Sequence, residues 1–124
     1  MEKKIGIMGG TFNPIHLGHL LLAEQAKEAF EVLFIPSGNP YMKDTAPVLD
    51  GKIRARMTAL ALEGHPCFSI SSIELDKSGP TYTYETLETL KAKNPDDTYY
   101  FLVGADSLLT METWKNPERI FQNC

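Results

Sequence analysis

Short apolar runs alternate with helical patterns along the whole chain, and this alternation narrows the possible folds more than any other feature. Apolar runs at residues 5–8, 32–35, 68–73 and 99–103 are typical of buried strands. Helical patterns follow at residues 17–30, 50–64, 81–93 and 117–121. The order β-α-β-α-β-α-β-α predicts a doubly wound parallel sheet with helices on both faces.

The second helical pattern begins at Asp50, a residue suited to cap a helix. Its apolar face is expected to contain Ile53, Met57, Leu60 and Ala61. The predicted core residues of the second and third helices are Met57, Leu60, Leu87 and Leu90.

Length, charge and cysteine content restrict the functional class. The 124 residues predict a single domain, 1–124, and the 12 basic and 16 acidic side chains give a formal charge of −4. This mild acidity argues against a nucleic-acid-binding protein.

Cys67 and Cys124 do not make a disulfide framework, which favours a reducing, cytoplasmic location. No apolar run approaches the ~20 residues of a membrane span, so no membrane association is expected.

In a parallel sheet of this kind, ligands bind beyond the carboxyl ends of the strands. The first such segment, residues 9–19, has the chemistry of a phosphate site. Gly9 and Gly10 allow backbone N–H groups to approach an anion, and Thr11 adds a hydroxyl. His16 and His19 share a face at the positive end of the first helix. Two other interpretations stay open: a simple glycine turn, and a zinc pair completed by His65 and Cys67.

The segment Gly-Gly-Thr-Phe-Asn-Pro-Ile-His-Leu-Gly-His at residues 9–19 resembles the signature of the nucleotidyltransferase superfamily marked by His-x-Gly-His. The resemblance implies transfer of a nucleotidyl group from ATP or CTP to a phosphate or phosphorylated alcohol. It also implies that His16 and His19 are catalytic, holding the triphosphate and stabilising charge on the α-phosphate. Mg²⁺ would accompany ATP, with no metal ligands from protein side chains.

Three further segments narrow the choice: residues 35–43 after the second strand, residues 79–87 at the start of the third helix, and residues 101–108, which lead to Trp114. With the first segment they resemble the bacterial nicotinate mononucleotide adenylyltransferase family, which makes deamido-NAD from ATP and nicotinate mononucleotide. The resemblance implies a Rossmann-like sheet of the HUP nucleotidyltransferase type. The residues it implies for ATP or phosphate binding are Gly9, Gly10, Thr11, Phe12, Gly18 and Lys43. The residues it implies for nicotinate mononucleotide binding are Thr83, Tyr84, Gly104, Asp106 and Trp114.

These assignments have a physical basis. The flat nicotinate ring can stack on Trp114, and its carboxylate can accept hydrogen bonds from the N–H groups of Thr83 and Tyr84 at a helix start. Asp106 can accept hydrogen bonds from ribose hydroxyls. Alternatively, Trp114 is a core aromatic residue, and Thr83 is an ordinary helix cap.

The family continues with a fifth strand, further helices and an Ile-Ser-Ser-Thr-x-Ile-Arg motif, and nothing in this chain matches that motif. The chain is therefore expected to be an incomplete domain that binds ATP weakly and has reduced or no turnover. Open sheet edges also predict a homo-oligomer. The alternatives are a phosphopantetheine adenylyltransferase, a cytidylyltransferase, or a nucleotide-binding fragment with impaired catalysis.

Overall fold

Four parallel strands form one sheet in the order β3-β2-β1-β4. The computed structural model describes residues 3–10, 12, 15, 17–38, 50–76, 81–103 and 109–124. The strands are β1 (Lys4–Gly10), β2 (Glu31–Pro36), β3 (Phe68–Ile70) and β4 (Thr98–Phe101). The chain moves outward from β1 to β3 and then crosses back to place β4 on the other side of β1. The carboxyl ends of β1 and β4 therefore flank the switch point at which such sheets bind ligands.

Helices connect the strands and follow the last one. They are α1 (Leu17–Ala26), α2 (Gly51–Ala61), α3 (Thr83–Lys93) and α4 (Pro117–Gln122), with a short 3₁₀ helix at Met111–Thr113. Proline occupies the first position of α4, where its missing N–H has no cost. In the part of the chain that the structure describes, none of the helices has the length and apolar character needed to span a membrane.

Successive residues of the central strands point to opposite faces of the sheet, and each face has its own core. On one face, Met8 and Phe34 pack with Ala23 of α1 and Leu62. On the other, Ile7 packs with Leu87 and Leu90 of α3 and with Ile120 of α4. The predicted doubly wound sheet is confirmed, and so are Leu87 and Leu90 as core residues.

The first strand runs further than the sequence predicts, because Gly9 and Gly10 belong to it. They pair in register with Ile35 and Pro36 of β2. The predicted third and fourth strands, in contrast, are too long at their carboxyl ends. The strands end at Ile70 and Phe101, with one further backbone hydrogen bond each from the N–H groups of Ser71 and Leu102.

Helix α2 begins where the sequence predicts, but its buried face is not the predicted apolar face. The side chain of Asp50 accepts a hydrogen bond from the N–H of Lys52 at 3.1 Å, which confirms the cap. The predicted apolar face is wrong, because Ile53 and Leu60 are 50% and 55% exposed whereas Arg54 is only 2% exposed. The guanidinium of Arg54 donates hydrogen bonds to backbone carbonyls just after β2. These bonds allow a charged side chain to occupy the buried face of α2.

Candidate active site

β1 ends in two glycines, Gly9 and Gly10, and the ring of Phe12 packs against Gly10. A Cβ atom on Gly10 would lie 3.1 Å from Cε1 of Phe12, so the ring occupies the space that a side chain would need. Phe12 is 2% exposed and has a φ of 51°, in the left-handed region that few non-glycine residues adopt. Its side chain belongs to the core, so any contact of Phe12 with a ligand would come from its backbone.

His19 lies in the first turn of α1, the helix that follows β1 in the chain. Its ring meets the ring of Phe12 edge-on, with centroids 4.9 Å apart and planes at 89°. This contact orients the half-buried imidazole beside the carboxyl end of β1. Gly18, just before it, is exposed. The helix start carries partial positive charge, so the position of His19 suits an anionic ligand.

Five of the predicted site residues lie outside the described residues, and their predicted roles stay predictions. They are Thr11, His16, Lys43, Gly104 and Asp106.

The start of α3 forms a second possible anion site at the same edge of the sheet. Thr83 and Tyr84 are the first two residues of the helix, so their N–H groups have no acceptor one turn back within it. Tyr82 occupies the cap position in an extended conformation with no side-chain cap hydrogen bond. The alternative in which Thr83 serves as an ordinary helix cap is therefore wrong.

Glu74 anchors this helix start from the segment that follows β3. Its carboxylate accepts a hydrogen bond from Oγ1 of Thr86 at 2.7 Å and one from Oγ1 of Thr81 at 3.2 Å. Thr81 and Thr86 are both buried, which shields these charge-assisted hydrogen bonds from water. These contacts help to fix the orientation of the α3 N-terminus, and Glu74 is not among the predicted site residues.

The segment around Trp114 packs against the same helix start. Trp114 ends the 3₁₀ helix and is half-buried, with its ring edge-on to Phe101 at a centroid separation of 6.0 Å. Nearby, Nζ of Lys115 lies 5.9 Å from the centroid of the Tyr82 ring, and the guanidinium of Arg119 lies 4.7 Å from that of Tyr84. The structure therefore brings the predicted stacking residue and the predicted carboxylate-binding backbone into one region.

The charged side chains near this region have distinct environments. Arg119 donates two hydrogen bonds of 2.6 Å to Glu88, and this pairing raises the pKa of Arg119. Burial lowers the pKa of Arg54, and the charge of Asp50 partly opposes that effect. Neither arginine was predicted from the sequence, because a single basic residue in a helix carries no signal of what it will contact.

The zinc interpretation does not fit the topology. His65 and Cys67 immediately precede β3, where the carbonyl of Cys67 accepts a hydrogen bond from the N–H of Val32 near the start of β2. His19 lies beyond the opposite, carboxyl end of the sheet. Among the described residues, no three His, Cys, Asp or Glu side chains are grouped closely enough to hold a metal ion.

Comparison with known proteins identifies the class. Residues 7–124 match the family described as cytidylyltransferase-like, and the chain belongs to that family. The chain is 45% identical over 123 residues to a probable nicotinate-nucleotide adenylyltransferase of Lachnoclostridium phytofermentans, covering 97% of this chain and 62% of that protein. It is 46% identical over 125 residues to the protein of the same name from Clostridium botulinum, covering 98% and 62%.

A solved structure gives the same relationship at the level of the fold. The crystal structure of a putative nicotinate-nucleotide adenylyltransferase from Vibrio parahaemolyticus superimposes with a TM-score of 0.81 at 27% identity, covering 98% of this chain and 73% of that chain. This agreement confirms the predicted Rossmann-like fold. The chain spans about three fifths of the length of the curated relatives named above (62% of each).

Proposed function

We propose that this protein transfers the AMP moiety of ATP to nicotinate mononucleotide, releasing pyrophosphate and forming deamido-NAD, as a step in NAD biosynthesis. One observation carries the proposal. At the carboxyl edge of the sheet, β1 ends in two glycines and is followed by His19 at the start of α1. The start of α3 lies at the same edge and packs against the Trp114 segment. The names of the relatives support the same reaction.

The nucleotide half of the site would be formed by the glycine end of β1 and the start of α1. Backbone N–H groups beside Gly9 and Gly10 would approach the ATP phosphates, and Gly18 would leave room for them. His19, with His16, would donate hydrogen bonds to the α-phosphate as negative charge builds on it. Thr11, Phe12 through its backbone, and Lys43 are proposed to complete the phosphate contacts.

The pyridine half would be formed by the start of α3 and the Trp114 segment. The N–H groups of Thr83 and Tyr84 would donate hydrogen bonds to the ring carboxylate, which favours the acid over the amide. Trp114 would stack on the nicotinate ring. Asp106 would accept hydrogen bonds from the ribose, and Gly104 would leave space beside it.

In the reaction itself, an oxygen of the nicotinate mononucleotide phosphate attacks the α-phosphorus of ATP in line. The bond from the α-phosphorus to the bridging oxygen breaks, and pyrophosphate leaves with its electron pair. Catalysis then comes from positioning and charge stabilisation, without a covalent enzyme intermediate. Mg²⁺ bound to ATP would neutralise charge on the departing pyrophosphate.

Two further proposals concern the cellular setting. Cys67 and Cys124 are both free and exposed, which is compatible with a reducing, cytoplasmic location. We also propose that the protein forms a homo-oligomer, and light scattering would measure its oligomeric state in solution.

A panel of acceptor substrates tests the proposed function. Mg²⁺ and ATP would be incubated with nicotinate mononucleotide, nicotinamide mononucleotide or phosphopantetheine, and each product identified by mass spectrometry. Calorimetry on the same samples would report binding. We expect deamido-NAD from the first acceptor, formed more slowly than by full-length relatives, and much less product from the amide. Product from phosphopantetheine alone would replace the proposal with the sister enzyme, and binding of both substrates without product would indicate a nucleotide-binding protein without catalysis.

A further inference from the structure

Arg54 of α2 is buried at the edge of the sheet where both halves of the proposed site lie. Its side chain donates from Nη1 to the carbonyl of Ser37 at 2.7 Å and from Nη2 to the carbonyl of Gly38 at 3.0 Å. Removing a guanidinium from water is expensive unless its donors are satisfied. Two of its donors are used to hold consecutive carbonyls of the chain as it leaves β2, so this dipeptide is fixed by a planar, two-pronged contact.

The dipeptide that Arg54 holds also contacts the glycine end of β1. The N–H of Ser37 donates to the carbonyl of Gly10 at 2.8 Å, which extends the pairing of β1 and β2 by one residue. Oγ of Ser37 is buried and has no hydrogen-bond partner among the described residues. The position of Ser37 is therefore set through its backbone, by Gly10 on one side and by Arg54 on the other.

On its other side, the dipeptide meets the residues that anchor α3. A Cβ atom on Gly38 would lie 2.6 Å from the carbonyl oxygen of Glu74 and 3.4 Å from Cγ2 of Thr81. The carboxylate of Glu74 in turn accepts the hydroxyls of Thr81 and Thr86. Contacts thus continue from the nucleotide half of the site to the pyridine half, with the Ser37–Gly38 dipeptide at the centre.

We propose that Arg54 is a positioning residue that sets the spacing between the two halves of the site by holding the carbonyls of Ser37 and Gly38. The inference rests on the proposed function, since it assigns Arg54 a role in binding both ATP and nicotinate mononucleotide. Arg54 is not proposed to contact either substrate. It acts through Gly10 on the nucleotide side and through the backbone of Glu74 on the pyridine side.

The first test compares two arginines of the same helix. Arg54→Lys keeps the positive charge but replaces the two-pronged contact with a single ammonium, and Arg54→Met removes the donors. Arg56→Met is the matched control, because Arg56 is exposed and lies two residues away. Calorimetry would give the Kd of Mg-ATP and of nicotinate mononucleotide, well below the unfolding temperature of each variant. We expect both Kd values to rise about tenfold in the Arg54 variants, because each half of the site would lose about one well-aligned hydrogen bond to its substrate, and to stay within about twofold in Arg56→Met.

A second variant tests the same dipeptide without changing Arg54. Gly38→Ala introduces a methyl group against the backbone of Glu74, which must displace the dipeptide, and we expect both Kd values to rise in it as well. A residue that only stabilises the fold would lower the unfolding temperature and leave both Kd values unchanged. Wild-type Kd values for both substrates in Arg54→Lys and Gly38→Ala would overturn the positioning role. Failure of the wild-type protein to bind either substrate would instead count against the proposed function.

Discussion

Gly10 should be far less tolerant of a side chain than its neighbour Gly9, although both are glycines at the end of one strand. In Gly10→Ala, the new methyl would lie 3.1 Å from Cε1 and 3.4 Å from Cδ1 and Cζ of Phe12. Phe12 has little room to move, because its buried ring also lies 6.0 Å from the ring of Phe34. Forcing an extra methyl into a packed core costs about 1–3 kcal/mol. For a domain of this size, that corresponds to a fall of roughly 4 °C in Tm per kcal/mol.

Gly9→Ala is the matched control for this prediction. A Cβ atom on Gly9 would have Ile35 O as its nearest neighbour at 3.9 Å, an ordinary contact. Replacing glycine in a strand also reduces the entropy of the unfolded chain, so we expect Gly9→Ala to be neutral or stabilising by about 0.5 kcal/mol. Urea unfolding followed by circular dichroism would give both free energies. Equal stability of the two variants would refute the packing of Phe12 over Gly10.

Three further predictions follow from the described contacts. His19→Ala should lower turnover by about 10²–10³-fold, the scale of a lost transition-state donor, with little loss of unfolding free energy, whereas His65→Ala at the other end of the sheet should leave steady-state turnover unchanged. Leu87→Ala should lower the unfolding free energy by about 2–5 kcal/mol in urea titrations, because Leu87 is 1% exposed in the core beneath α3; a loss below about 1 kcal/mol would contradict that packing. Burial raises the pKa of Tyr99 above its ordinary value, so its contribution to stability is complete below about pH 10 and is lost as the pH rises through the folded-state pKa. Urea unfolding between pH 8 and 11 should show a shallower alkaline loss in Tyr99→Phe than in the wild type, and parallel curves would contradict the assignment.

The sheet and its ligand-binding edge could be predicted because they depend on local patterns. Apolar runs such as residues 32–35 can be buried on both faces only inside a covered parallel sheet, and the carboxyl ends of such strands share one edge. Asp50 was recognised as a helix cap for the same reason, since capping involves only neighbouring backbone.

The parts that could not be predicted depend on contacts between segments far apart in sequence. Arg54 is buried because the carbonyls of Ser37 and Gly38 accept its protons, and no pattern within α2 reveals those acceptors. The left-handed backbone of Phe12 has no signal in the sequence either, since aromatic residues rarely adopt it. The contact of Glu74 with Thr86 could not be predicted either, because it joins residues twelve positions apart in the sequence.

The most direct test of the account is whether Trp114 reports binding of the acid form of the mononucleotide. Trp114 is the single tryptophan of the chain, so its fluorescence isolates one position in the proposed pyridine site. Titration with nicotinate mononucleotide and with nicotinamide mononucleotide would give two Kd values from the same signal. We predict saturable quenching by the acid at a Kd about tenfold or more below that of the amide, because only the carboxylate would form charge-assisted hydrogen bonds with the start of α3. No change in fluorescence, or equal Kd values for the two ligands, would contradict it.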